Sequence, residues 1–132
     1  MKGFIKDIES ETRANNNFRR VLYTAKNSQL VLMNLKPTEE IGEEIHDVDQ
    51  FFRFESGQGA VVIDGVRSEV TDGLAVIVPA GAKHNVINAS DTEPLKLYTL
   101  YCPPHHRDGI VHTTKDAALK DTEHFEGHTT ES

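Results

Sequence analysis

Apolar residues in this chain come in short runs or alternate with polar ones, and turn residues interrupt them at close intervals. A period of two marks strands with one inward face, whereas a helix repeats its apolar positions every third or fourth residue. Phe18 to Thr24 and Gln29 to Leu35 read as strands joined through Ala25-Lys26-Asn27-Ser28. Pro37-Thr38-Glu39-Glu40 breaks the pattern before a strand at Ile41 to His46. Phe51 to Glu55 runs into Ser56-Gly57-Gln58-Gly59, and Ala60 to Ile63 turns at Asp64-Gly65 into Val66 to Val70. Asp72-Gly73 is the next turn, and the unbroken apolar run Leu74 to Val78 predicts a buried strand. Val86 to Ala89 and Leu95 to Tyr101 follow. Pro103-Pro104 then ends the sheet region, because proline donates nothing to a ladder.

About eight or nine short strands spaced by turns predict an all-β sandwich or barrel. One helix is predicted near the C-terminal end, Thr114 to Lys120, with Thr114 as its N-cap and Asp116 in its first turn. The expected organisation is one domain over residues 1–120 and a polar, disordered tail over 121–132.

Composition narrows the functional classes. A chain of 132 residues with 37% hydrophobic and 27% charged content can enclose one core. A net charge of −7 repels polyanions, which disfavours nucleic acid and anionic membrane as partners. No apolar run is long enough to span a bilayer, and the N-terminal residues carry no secretory pattern. With a single cysteine, Cys102, no internal disulfide can form, which fits a cytoplasmic setting. The acidity itself points to no particular ligand, and the expectation of a small-molecule partner comes from the motifs and the resemblance they carry.

The candidate chemistry lies in two stretches. Gly73, Pro79, Gly81, His84 and Asn88 follow the spacing G-x5-P-x-G-x2-H-x3-N. In that spacing Gly73 closes a hairpin, Pro79 ends a strand, and Gly81 turns the chain back so that His84 faces inward. This run resembles the second motif of the cupin family at every fixed position. The stretch before it, Glu44-x-His46-x3-Gln50-x6-Gly57, resembles the first cupin motif, with the core motifs spanning residues 38–88. Here His46 and Gly57 match, while Glu44 stands where a histidine is usual, Gln50 where a glutamate is usual, and Thr38 where a glycine is usual.

The resemblance covers roughly residues 30–102 and is to small single-domain cupins of the phosphomannose-isomerase-like kind. It implies a jelly-roll β-barrel holding one divalent metal through Glu44, His46, Gln50 and His84. The substitutions leave the ligand charge at one carboxylate, because Glu44 replaces the charge that Gln50 lacks. Residues 44 and 46 share a strand face, and Gln50, Phe52 and Phe54 share another, so the two phenylalanines are expected to wall the cavity. Glu55 and Arg53 then point outward. Two imidazoles and a carboxylate suit Mn, Fe, Ni or Zn, and the mixed oxygen and nitrogen donors lean towards Mn or Fe. The absence of thiolate ligands argues against structural zinc.

His105 and His106, just past the last strand, are the candidate proton carriers if their segment folds over the barrel mouth. Tyr98 and Tyr101 lie on opposite faces of one strand, so at most one reaches the cavity. Packing is the simpler role for both, as for Cys102. The family also implies a homodimer, with Met1 to Thr24 available to pair with a second subunit. Three functions stay open: a metal-dependent isomerase-like enzyme on a sugar or sugar phosphate, an Fe(II) dioxygenase, and a non-catalytic binding barrel. The fold alone does not choose among them.

Overall fold

The structure is a computed structural model describing residues 1–132. It contains β1 (Arg19–Thr24), β2 (Gln29–Leu35), β3 (Glu44–Ile45), β4 (Asp49–Ser56), β5 (Gln58–Ile63), β6 (Val66–Thr71), β7 (Ala75–Val78), β8 (Lys83–Asn88), β9 (Leu95–Cys102) and β10 (Val111–His112). Two helices flank them, α1 (Ile8–Ala14) and α2 (Lys115–Lys120). One sheet has the order β10-β1-β2-β9-β4-β7 and the other β3-β8-β5-β6, and every pairing is antiparallel. The two sheets close over one apolar core, the sandwich or barrel that the turn spacing predicts and the jelly roll that the family resemblance implies.

Strand alternation does the sorting. Leu95, Leu97, Thr99 and Tyr101 of β9 are buried while their neighbours Lys96, Tyr98 and Leu100 are only half-buried. On β4, Gln50, Phe52 and Phe54 face the same interior, paired with Tyr101, Thr99 and Leu97. A bulge between Phe54 and Ser56 disturbs that register, and Glu55 within it is 3% exposed. The outward position expected for Glu55 is therefore not an exposed one: Arg53 Nε pairs with it at 3.2 Å, and burial raises its pKa.

The helix at α1 was not expected. Asp7 caps it by accepting from the Ser10 backbone N–H, Glu9 and Glu11 sit in its first turn, and Arg13 in its last. The predicted α2 forms with Thr114 as its N-cap. Leu74 to Val78 is not the buried strand that its apolar run predicts. It forms β7 at a sheet edge, where Ile77 is 68% exposed. The strand expected at Ile41 to His46 shrinks to β3. Cys102 is exposed instead of packed. β1 lies between β10 and β2 of its own chain, with β10 paired to Arg19 and Arg20.

Two features close the end of the barrel opposite His84. Gly57 has φ +97°, and a Cβ there would collide with the Pro94 carbonyl. Asn88, 2% exposed, donates through Nδ2 to the carbonyls of Leu35, Lys36 and Glu93 and accepts from the Ser90 N–H. The terminal residues make several contacts with the body of the chain. His112 holds Asp121, the Phe125 N–H donates to the His105 carbonyl at 2.9 Å, and Glu131 accepts from the Lys2 and Gly3 N–H groups. No helix is long and apolar enough to cross a membrane.

Candidate functional site

At the other end of the barrel the interior turns polar. β3 and β8 place Glu44 directly opposite His84, and His46 follows Glu44 by two residues. Gln50 and Tyr101 face each other across β4 and β9, so the strand register that buries Phe54 against Leu97 also delivers these two polar groups. His46, Gln50, His84 and Tyr101 are all buried. The His46 and His84 rings lie 5.2 Å apart between centroids, and His46 Nε2 stands 3.3 Å from Glu44 Oε2. Glu44, His46 and His84 thus lie together, and Gln50 faces Tyr101 at the same end of the barrel.

Each has a defined hydrogen-bonding state. His84 Nδ1 donates to the Ala82 carbonyl at 3.1 Å, because a carbonyl only accepts, and this leaves Nε2 with its lone pair. Gln50 Nε2 donates to Thr99 Oγ1 at 3.0 Å, and its Oε1 is buried without a partner. Burial pushes the Glu44 carboxyl up, but the hydrogen bond from His46 and the charges of His46, Arg19 and His84 bring it below its ordinary value. An orphaned amide oxygen, an imidazole presenting its lone pair and an ionised carboxylate are the donor chemistry a divalent ion takes, so the residues fit one. Their present arrangement is looser than a finished site: no three His, Cys, Asp or Glu side chains already converge as an ion would hold them.

The histidines after β9 are not a solvated loop. Gln29, fully buried, accepts from the N–H groups of His105 and His106 at 3.2 and 2.9 Å and donates to the His106 carbonyl at 2.7 Å. That clamp lays His105 over the barrel mouth, 4.4 Å from the His46 ring and stacked on Tyr101 at 5.3 Å. Burial and the neighbouring His106 and His46 lower the His105 pKa to about 4, so its ring is neutral at pH 7. His106 is buried deeper. Its Nδ1 donates to Glu123 Oε1 at 2.6 Å and its Nε2 accepts from the Tyr101 hydroxyl at 3.2 Å. Glu123 also accepts from the Arg107 N–H at 2.7 Å. Burial raises its carboxyl, but these donors outweigh that and hold it at about 2. Burial pushes the Tyr101 phenol up to about 12, which keeps it protonated.

Phe52 and Phe54 are both fully buried core residues; the Phe52 ring lies 6.3 Å from His84, and Phe54 sits further towards the Leu97 end. The open space instead lies beside Glu44, a chamber of about 300 Å³ bounded by Arg19, Glu44, His106, Lys115, Asp121 and Glu123 among others. Sequence reasoning passed over Arg19 and Glu123 and gave Tyr101 a packing role. Only Tyr101 carried a usable signal: it shares strand parity with Leu95, Leu97 and Thr99.

Residues 31–101 match the family described as Cupin domain. The chain is 46% identical over 125 residues to the uncharacterized protein YrkC of Bacillus subtilis, covering 89% of this chain and 67% of that one. It is 42% identical over 113 residues to the uncharacterized protein L612 of Acanthamoeba polyphaga mimivirus, covering 82% and 70%. Among solved structures, BH2720 from Bacillus halodurans superposes with a TM-score of 0.88 at 42% identity, covering 91% of this chain and 96% of that one. Sequence motifs, barrel topology and these relatives agree: the chain belongs to the cupin family.

Proposed function

We propose that this cupin is a metal-dependent enzyme that moves a proton on a small polar metabolite, with isomerase-like chemistry. Glu44, His46, Gln50 and His84 would hold one divalent ion of Mn, Fe, Ni or Zn. When bound, that ion supplies Lewis-acid polarisation of a carbonyl or hydroxyl on the substrate. The observation that carries the reading is the hydrogen-bonded row Glu123–His106–Tyr101, which ends beside His46.

In that row Glu123 fixes the His106 tautomer with its proton on Nδ1, leaving Nε2 as the acceptor. Tyr101 can take a proton from substrate at its hydroxyl oxygen while passing its own to His106 Nε2, and Glu123 stabilises the imidazolium that forms. The reverse movement returns the proton. His105, neutral and stacked over the mouth, excludes water during the transfer. A barrel that only stores a ligand has no need of such a row. We place this enzyme in the cytoplasm as a homodimer, whose free sheet edges would be β6 and β7 with Val66 and Ile77 exposed.

Two measurements test the reading. Elemental mass spectrometry of the purified protein should find about one metal per chain, falling to background in His84→Ala while the fold is kept. Incubation with a panel of sugars and sugar phosphates in deuterated water should introduce deuterium at carbon in one of them, and His106→Gln should abolish the exchange. No stoichiometric metal, or loading that survives His84→Ala, removes the ligand set. An unlabelled panel removes the proton-transfer chemistry.

A further inference from the structure

The chamber beside Glu44 is lined by charged groups of both signs, and they differ in how they are partnered. Its walls carry the carboxylates of Glu43, Glu44, Asp121 and Glu123 and the basic side chains of Arg19 and Lys115. Every carboxylate already has a partner. Lys83 Nζ holds Glu43 at 2.7 Å, His46 holds Glu44 at 3.3 Å, His112 holds Asp121 at 3.0 Å, and His106 holds Glu123 at 2.6 Å.

Arg19 has no such partner. The residue is 8% exposed, yet its guanidinium makes no ion pair. Its one polar contact runs from Nη1 to His112 Nδ1 at 3.3 Å. Because His112 donates to Asp121 through Nε2, that Nδ1 is the lone-pair nitrogen of a neutral ring, a weak match for a full charge. Arg19 Nε is enclosed and bonded to nothing. Buried charges are ordinarily paired, and an arginine fork presents N–H groups spaced to take two oxygens of one anion. The field of Arg19 still reaches both neighbouring carboxylates, helping to lower the pKa of Glu44 and of Glu123.

We infer that this chamber binds a small oxyanion, a carboxylate or phosphate group, through the Arg19 guanidinium with Lys115 at its rim. The metabolite is then anionic. This deepens the reading of the same site and rests on it. At about 300 Å³ the chamber is at the small end of ligand cavities.

The test uses the full chain stripped of metal with a chelator, so its outcome does not depend on any ion. Inorganic phosphate and acetate are titrated separately by calorimetry. Saturable one-to-one binding of either is expected, weakened by at least about tenfold in Arg19→Gln. Phosphate alone indicates a phosphorylated metabolite, and acetate alone a carboxylate. If Arg19→Gln does not fold, the Arg19 Nε–H resonance of the unaltered protein replaces it and should shift along the titration. No saturable binding of either anion, unchanged affinity in Arg19→Gln, or an unmoved Nε–H signal at saturation overturns the inference. Metal loading is read separately: anion binding without metal leaves this inference standing and removes the metal-dependent reading, and metal without anion binding does the reverse.

Discussion

The two ends of this barrel share the same strands and differ in almost everything else. Along β9 the inward residues pass from Leu95 and Leu97 to Thr99 and Tyr101, and along β4 from Phe54 through Phe52 to Gln50. At the Leu95 end burial is complete and close contact requires glycine at Gly57 and Gly59. At the Tyr101 end β4 and β9 present an amide oxygen with no partner and a tyrosine hydrogen-bonded to histidine, and β1 adds Arg19, whose guanidinium makes no direct ion pair. One end is finished by folding, and the other is left with valences that a ligand can fill. Stability should therefore concentrate at the first end and binding capacity at the second.

The strongest way to break that contrast is Phe54→Ala, which opens a cavity in the finished end and should lower unfolding stability by about 4 kcal/mol, read from urea titration. Metal content should hold in the fraction that remains folded. Gly57→Ala comes next, at about 3 kcal/mol, because it combines positive-φ strain with a collision at the Pro94 carbonyl. A variant as stable as the parent would show that this end is not close-packed.

At the polar end Glu123→Gln should cost about 2 kcal/mol at pH 7, since the carboxylate accepts from both His106 and the Arg107 N–H. Its pH dependence has a definite sign. Glu123 sits at about 2 in the folded chain against an ordinary 4.5, so its contribution is complete above pH 4.5 and drains away as the pH falls towards 2. Urea midpoints measured down that range should fall less steeply in Glu123→Gln than in the parent. The smallest effect carries the opposite sign. Gln50→Leu removes the orphaned oxygen and should raise stability by about 1 kcal/mol while weakening metal loading. A loss of stability there would mean that Gln50 belongs to the structural end after all.

Much of this contrast is legible in the sequence because it is built from local signals. Turn dipeptides and strand parity place most of the strands, and the spacing from Gly73 to Asn88 places His84. Thr114 announces α2, and Asp7 with Glu9, Glu11 and Arg13 offered the same kind of signal for α1. Arg19 and Glu123 are different. Arg19 becomes a wall of the chamber because β1 pairs with β10, and Glu123 because the terminal segment returns to His106 across intervening chain. Neither sits in a motif, and contacts of that sequence separation leave no periodic trace. Leu74 to Val78 shows the converse: an apolar run identifies a strand but cannot say whether a neighbour covers it.

Asn88 has a bearing on motion as well as on architecture. One amide ties the chain leaving β2, the turn at Ser90 and the segment entering β9 into a single knot. Those connections can release only together, so amide protons near Asn88 should exchange with solvent in step with global unfolding. His105 and His106 hang on Gln29 alone among side chains for their backbone anchoring, and their protons should exchange through a smaller, faster opening. The barrel would thus breathe from one end only, admitting small molecules while its far end stays shut.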